Sequence, residues 1–354
     1  MEEHVVSDRT TIVIGSPLEA EHAARIAAVA PDRVELIYEP ELVPPARYIA
    51  DHDGPVEWAR SEADQRRWME ILASADVLFC LPREAKTDLL AISPKLKWLQ
   101  GTSAGMGQPA QRLGLIDSDV IVTTASGVHA GALSEFVFAA LLSRTRELDR
   151  MARWQRDHHW ERFTGDELAG KAMTIIGPGR IGRQIARVAR AFDMSVTAVG
   201  RTGGPERAAV IGVDQYLPIN QLREALQTAD VVVIVTPHTG GTEQLIGAAE
   251  FNAMKPGVWF INIGRGAVID EQEMIARIRD GRIGFAALDV FQQEPLPPNS
   301  QLWDLPNTLI SPHCSANAPR ENERITDIFI RNLPLFLDGR YDEMSPVLDK
   351  TQMY

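Results

Sequence analysis

Short apolar runs alternate along the chain with longer stretches whose apolar positions recur every three to four residues, a pattern that predicts strands and helices in turn. Residues 11–15 read as a strand, 18–29 as a helix and 33–38 as a second strand. Prolines at 40, 44, 45 and 55 then break the pattern over 39–55, which predicts a surface excursion or a lid. Helical spacing resumes over 65–74, and strands follow at 77–81, 96–100 and 120–124. The third of these four elements runs into Gly101-Thr102-Ser103-Ala104-Gly105-Met106-Gly107, a small-residue loop that reads equally as ligand-binding amides or as a plain connection. A long helix is predicted at 131–146, with Leu133, Phe136, Val137, Ala140 and Leu141 on its periodic face; such a helix can leave one domain and open another. Seven further strands, at 173–176, 195–199, 213–217, 231–235, 258–262, 284–288 and 308–311, have helical patterns between most of them. A closing helix over 317–337 is expected to return to the first unit.

The stretch 173–202, MTIIGPGRIGRQIARVARAFDMSVTAVGRT, carries the sharpest local pattern. An apolar strand enters Gly177-Pro178-Gly179-Arg180-Ile181-Gly182, after which Ile181, Ile185, Val188 and Ala189 share one helical face. A second strand closes a strand-helix-strand unit of about thirty residues. In such a unit Gly177 permits the tight turn, Gly179 admits a pyrophosphate against the backbone, and Gly182 lets helix pack on strand. The free amides at the helix N-terminus supply the anion site. A lone glycine motif is weak evidence; set between two strands at this distance, it points to dinucleotide binding. Pro178 lacks an N–H, which shifts the pyrophosphate onto the Arg180 and Ile181 amides. The fold class expected is therefore α/β with two Rossmann-like domains. A doubly wound parallel-sheet dinucleotide-binding domain, 128–316, is inserted into a smaller flavodoxin-like substrate domain made of 1–127 and 317–354.

Composition narrows the choice of partner. The 354 residues are 45% hydrophobic and 24% charged, ordinary for a globular chain with room for two domains. A formal net charge of −12 gives no basic field for nucleic acid or an anionic membrane surface. The longest apolar runs, such as 231–235, are too short to span a bilayer. Residues 1–8 are acidic, without a basic and apolar leader, and two cysteines, Cys80 and Cys314, cannot form a disulfide framework; both features predict a cytoplasmic protein. His158 and His159 lie outside any metal-ligand spacing and read as surface or interface residues, so no metal is expected.

Three later strands end on chemically versatile side chains. WFINIGRGAVID (259–270) delivers Arg265 into a glycine-flanked loop, GFAALDVFQQEPLP (284–297) delivers Asp289 and then Glu294, and TLISPHCSA (308–316) delivers His313. Groups just past the ends of parallel strands point to the face where such sheets bind ligands. A guanidinium there can clamp a carboxylate bidentately, and an imidazole can exchange a proton at a carbonyl. A carboxylate beside that imidazole would stabilise its protonated form and orient it.

Taken in order, the glycine turn, INIGRG, ALDVFQQEP and SPH resemble the D-isomer-specific 2-hydroxyacid dehydrogenase family. The likeness is good from 96 to 339 and loose before that. The resemblance implies that Arg265 binds the substrate's carboxylate and carbonyl, that His313 is the acid/base, and that Glu294 pairs with it. It implies that Asp289 holds the nicotinamide carboxamide and that Thr236, Pro237 and Ile263 join the cofactor site. Ser103, Ala104 and Gly105 resemble the family's backbone clamp for the substrate carboxylate, although Gly107 stands where an acidic residue is expected. The implied activity is reduction of a small 2-oxo acid to a D-2-hydroxy acid, of the glyoxylate/hydroxypyruvate reductase type, by a homodimer formed through 131–160. Cys314, next to His313, reads as an inert packing residue.

An NAD-type site needs an acidic residue at the end of its second strand for the ribose 2′-hydroxyl, whereas this chain has Gly200-Arg201-Thr202. Gly200 withholds a carboxylate that would repel a 2′-phosphate, and Arg201 with Thr202 offers a charge-assisted clamp. NADP(H) is therefore expected to be preferred, with NAD(H) possible if Arg201 merely faces solvent. Two rival readings are a nucleotide-binding regulatory or scaffold protein on the same fold and an adenosylmethionine-dependent methyltransferase. Arg83 reads either as a contact for a second anionic group or, in preference, as a solvent-facing charge.

Overall fold

The computed structural model describes residues 9–353, so the acidic segment 1–8 lies outside the described residues. The chain divides into two compact units, one running up to Val128 and resuming at Asn317, the other spanning His129–Ala316.

The first unit holds five parallel strands, β1 Thr10–Ile14, β2 Val34–Ile37, β3 Val77–Phe79, β4 Trp98–Gln100 and β5 Ile121–Thr123. Their order is β2-β1-β3-β4-β5, the flavodoxin-like arrangement. One face is covered by the helix Glu321–Leu337, which buries Ile325, Ile328, Phe329, Leu333 and Phe336 at helical spacing. Phe329 stacks on Trp98 with centroids 4.5 Å apart and meets Phe79 edge-on at 5.3 Å. On the other face Trp68 and Leu72 descend from the helix Glu62–Ser74. That helix starts a turn earlier than periodicity suggests, because its first turn is polar and is set by Ser61, whose side chain accepts from the Asp64 amide.

The Pro-rich segment is an excursion fastened to this unit. Arg83 Nη1 donates to the Pro55 and Trp58 carbonyls, and Nη2 to that of Val56, each at 3.1 Å. The expectation that Arg83 faces water is thus overturned: three carbonyls that the prolines leave without strand partners need a donor, and Arg83 supplies it. The Asp51 carboxylate takes the Arg47 side chain and the amides of Asp53 and Gly54, and His52 Nδ1 lies 3.3 Å from Ser16 Oγ.

The second unit holds seven parallel strands, β6 Ala172–Ile176, β7 Ser195–Gly200, β8 Gln215–Pro218, β9 Val231–Ile234, β10 Val258–Asn262, β11 Ile283–Leu288 and β12 Thr308–Ile310. The order is β12-β11-β10-β9-β6-β7-β8, so the winding reverses between β6 and β9. Residues of β9 and β10 are buried throughout, as strands covered on both faces must be, which is why they read as unbroken apolar runs. Because all seven strands run the same way, the loops that follow them emerge on one edge of the sheet. Among the described residues no helix is long and apolar enough to cross a membrane.

Candidate active site

The glycine turn sits at the end of β6, beside the point where the winding reverses. Gly177 has φ 97°, which L side chains rarely adopt, and a Cβ there would stand 2.8 Å from Thr236 Cγ2. A Cβ at Gly182 would stand 2.8 Å from Gly177 O, so this glycine sets the close packing of helix on strand. At Gly179 no heavy atom lies within 4 Å of such a Cβ, and no side chain caps the helix Arg180–Ala191 that follows. The open face and the uncapped Arg180 and Ile181 amides suit an anionic group. Thr236 Oγ1, behind the turn, is buried without a hydrogen-bond partner, an orphaned polar atom that a nucleotide could satisfy. The residues present therefore fit a dinucleotide.

At the end of β7 a Cβ on Gly200 would overlap the hydroxyl of Tyr216, a buried β8 residue. The residue is small because of this neighbour, and an Asp or Glu could enter only by displacing the tyrosine. Arg201 and Thr202 are exposed beyond it. Arg207, on the helix Pro205–Ile211, lies over the Tyr216 ring at 5.9 Å from its centroid. Sequence spacing does not reveal this second arginine, because the ring that brings it near position 200 comes from a different strand.

Arg265 follows β10 in a loop with little freedom. A Cβ on Gly264 would stand 2.7 Å from Thr236 O, and one on Gly266 would overlap the Phe291 backbone. Asn262 ties the turn from inside, its Oδ1 accepting from the Gly264 amide at 3.0 Å and its Nδ2 donating to Arg265 O at 3.2 Å. Asn262 stands outside the expected site residues, although a buried Asn ending an apolar strand is a visible signal. The guanidinium donates from Nη1 to Gly264 O at 2.6 Å, and among the described residues Nη2 and Nε meet no protein acceptor. Burial pushes its pKa below the usual arginine range, while the nearby Glu294 and Asp289 carboxylates oppose that shift.

His313 Nδ1 lies 2.7 Å from Glu294 Oε2, and the other Glu294 oxygen accepts from the Phe291 amide at 3.0 Å. An ionised carboxylate can only accept, so Nδ1 carries the hydrogen of this bond and Nε2 is left for chemistry. The imidazole is 44% exposed and Glu294 35%, so the pair is supported by the protein yet open on one side. Asp289, by contrast, is only 2% exposed and is bonded to the turn that carries His313. Ile263 is buried in the apolar core. Cys314 is exposed, which overturns its reading as a packing residue: its amide is held by Asp289 while its thiol stays outside, 3.6 Å from Ser311 Oγ.

In the first unit, Ser103 Oγ accepts from the Gly105 amide at 3.1 Å, and Ser103 O accepts from the Ala125 amide at 3.1 Å. Gly107 opens the helix Gly107–Arg112, and a Cβ on it would overlap the Met353 carbonyl. The acidic residue expected at 107 is thus replaced by packing of the chain's last described segment. His159 pairs with Glu161 at 3.1 Å, and among the described residues no group of three or more His, Cys, Asp or Glu could hold a metal ion.

Residues 138–315 match the family model described as "D-isomer specific 2-hydroxyacid dehydrogenase, NAD binding domain". A glyoxylate reductase of Aeropyrum pernix is 33% identical over 281 residues, covering 75% of this chain and 81% of that protein. A solved structure of a D-isomer specific 2-hydroxyacid dehydrogenase family protein from Aeromonas salmonicida superposes with a TM-score of 0.79 at 31% identity, covering 97% of this chain and 99% of that one. An NADPH-dependent glyoxylate/hydroxypyruvate reductase from Sinorhizobium meliloti, solved with NADP and sulfate, shares the fold with a TM-score of 0.76 at 24% identity, covering 98% of this chain and 100% of that one. Fold, site and kinship define an NAD(P)-dependent 2-hydroxyacid oxidoreductase. The chain belongs to the D-isomer-specific 2-hydroxyacid dehydrogenase family. A nicotinamide-binding domain removes the methyltransferase reading.

Proposed function

We propose that the enzyme reduces a small 2-oxo acid of the glyoxylate or hydroxypyruvate kind to a D-2-hydroxy acid, with NADPH preferred to NADH. The observation that carries this reading is the His313–Glu294 pair at 2.7 Å on the same sheet edge as the glycine turn and Arg265. Support for the substrate comes from the name of the Aeropyrum pernix relative, a glyoxylate reductase. The bound nicotinamide supplies the hydride. His313 Nε2 donates a proton to the ketone oxygen, and Glu294 holds the ring at Nδ1 so that Nε2 faces the substrate. Arg265 uses its uncommitted donors on the substrate carboxylate and on the oxygen that gains charge, where binding tightens in the transition state. The backbone at Ser103, Ala104 and Gly105 is proposed, from the family resemblance, as a carboxylate-binding loop, and the unit that carries it as the substrate domain.

The cofactor preference rests on Gly200, where a side chain would strike Tyr216, and on Arg201, Thr202 and Arg207 around it. A charge-assisted bond to a 2′-phosphate contributes about 1.5–3 kcal/mol, which predicts kcat/KM about ten- to a hundredfold higher with NADPH. Initial rates with both nucleotides, against 2-oxo acids graded in size and charge, test this; equal kcat/KM for NADH would sink the preference, and Arg201→Asp is expected to move it toward NADH. Chiral analysis of the glycerate formed from hydroxypyruvate tests the stereochemistry.

The segment 131–160 is the proposed dimer contact, supported by the exposure of Leu148, Met151 and Trp160. Light scattering is expected to give twice the chain mass of 39.1 kDa; a monomer at micromolar concentration excludes it.

A further inference from the structure

We propose that the segment 344–353 anchors the loop 101–107 and thereby sets how tightly the enzyme holds the carboxylate of its 2-oxo acid. The inference rests on the reading of Ser103, Ala104 and Gly105 as a carboxylate-binding loop.

Small residues give that loop few side chains to hold it in place. The Gly101 amide donates to Thr123 O at 2.8 Å, the Ala125 amide to Ser103 O at 3.1 Å, and the Gly105 amide to Ser103 Oγ at 3.1 Å. Two of these bonds lead to residues 123–125, so the loop is only as fixed as that stretch. β5 is the edge strand of its sheet, and an edge strand presents backbone donors and acceptors on its outer side. Here the returning chain takes that side. Val347 pairs antiparallel with Thr123, the Thr124 amide donates to Pro346 O at 3.0 Å, and the Leu348 amide donates to Val122 O at 2.8 Å. Leu348 is buried in the same apolar cluster as Met106, whose Sδ would stand 2.6 Å from a Cβ on Gly101. Loop, strand end and returning segment are therefore linked in series.

The segment then meets the loop directly. Asp349 Oδ1 accepts from the Thr351 and Gln352 amides, each at 3.0 Å, and Asp349 O accepts from the Met353 amide at 2.7 Å. Lys350 Nζ fastens this turn to Ser118 O at 2.5 Å. The turn sets the Met353 carbonyl in the space that a Cβ on residue 107 would need. Position 107 ends the loop and opens the helix Gly107–Arg112, so a contact there holds the loop two residues past Gly105. Any side chain at 107, the expected acidic one included, would collide with the turn. Glycine forgoes a side-chain anchor at this point and admits a backbone one.

A chain ending at Asp349 keeps Leu348 and the pairing with β5 and loses only the turn. A carboxylate held equally in ground state and transition state contributes to KM and leaves kcat alone. One hydrogen bond to a charged group is worth about tenfold or more in affinity. The shortened chain is therefore expected to raise KM for glyoxylate about tenfold, with kcat within about threefold of the parent and the NADPH Kd, from fluorescence titration, changed less than about twofold. Gly107→Ala in the full chain is expected to raise KM by a similar factor, because the methyl group must displace the turn or the loop. Placed in the shortened chain, the same substitution should add less than about twofold, since both changes act through one contact. Amide exchange of 101–107, read by mass spectrometry without substrate, should quicken about tenfold in the shortened chain while the second unit exchanges as in the parent. Asp349→Ala removes the two bonds that shape the turn at full length; it serves if the shortened chain does not fold, with KM and exchange expected to rise about threefold or more.

An unchanged KM or an unchanged exchange rate in the shortened chain, or in Asp349→Ala in its place, would overturn the proposal. So would a fall in kcat with KM unaltered, or a Gly107→Ala effect as large without the turn as with it. If the parent enzyme reduces no 2-oxo acid with either nucleotide, the carboxylate-binding reading fails, and the exchange of 101–107 still decides whether the turn anchors the loop.

Discussion

Replacing His313 with Gln is expected to lower kcat/KM for 2-oxo acid reduction by about 10²–10⁴-fold, the usual contribution of a positioned proton donor. Glutamine has similar reach and can still donate to Glu294 Oε2, so the 2.7 Å contact that organises this corner has a substitute. What it lacks is a ring nitrogen that can hand a proton to the ketone oxygen and take one back. NADPH affinity and the circular dichroism spectrum should stay close to those of the parent, because the ring is partly exposed and supports no core packing. Near-normal turnover would remove His313 from the mechanism.

Arg265→Ala carries the second large effect, a loss of about 10³-fold or more in kcat/KM. A single donor to a developing oxyanion is worth about 10²–10³-fold, and Arg265 is proposed to serve the carboxylate as well. Its surroundings add to the loss, since Glu294 and Asp289 would face the substrate's negative charge with no cation between them. Arg265→Lys keeps a charge and loses the planar fork, so it should recover part of kcat while KM for the 2-oxo acid stays high. A KM and kcat both within about threefold of the parent in Arg265→Ala would exclude a role at the substrate.

Most of the proposed catalytic set is legible along the chain because each member follows an apolar run, and in a parallel sheet those run ends fall on one edge. The glycine turn was legible for the same reason, and the steric roles read for Gly177 and Gly182 are the ones their neighbours impose. Gly200 stands out for a different cause: its missing side chain reads as cofactor choice, and the structure adds that Tyr216 occupies the space. Arg207, Asn262 and the partners of Arg83 were not seen, since each acts on a group whose identity depends on how strands and loops pack.

Sequence by itself determined the α/β class, the position of every strand in both sheets, and the three side chains at Arg265, Glu294 and His313, because burial imposes a local period and strand ends are local events. Tertiary structure alone decided what those side chains touch. The turn that carries His313 in a left-handed backbone is bonded to the Asp289 carboxylate just past the neighbouring strand, 24 positions earlier in the chain, and the loop at Gly107 is packed against a carbonyl at Met353. Contacts between residues so far apart leave no period in the sequence, and they exist only once the sheets have brought their ends together.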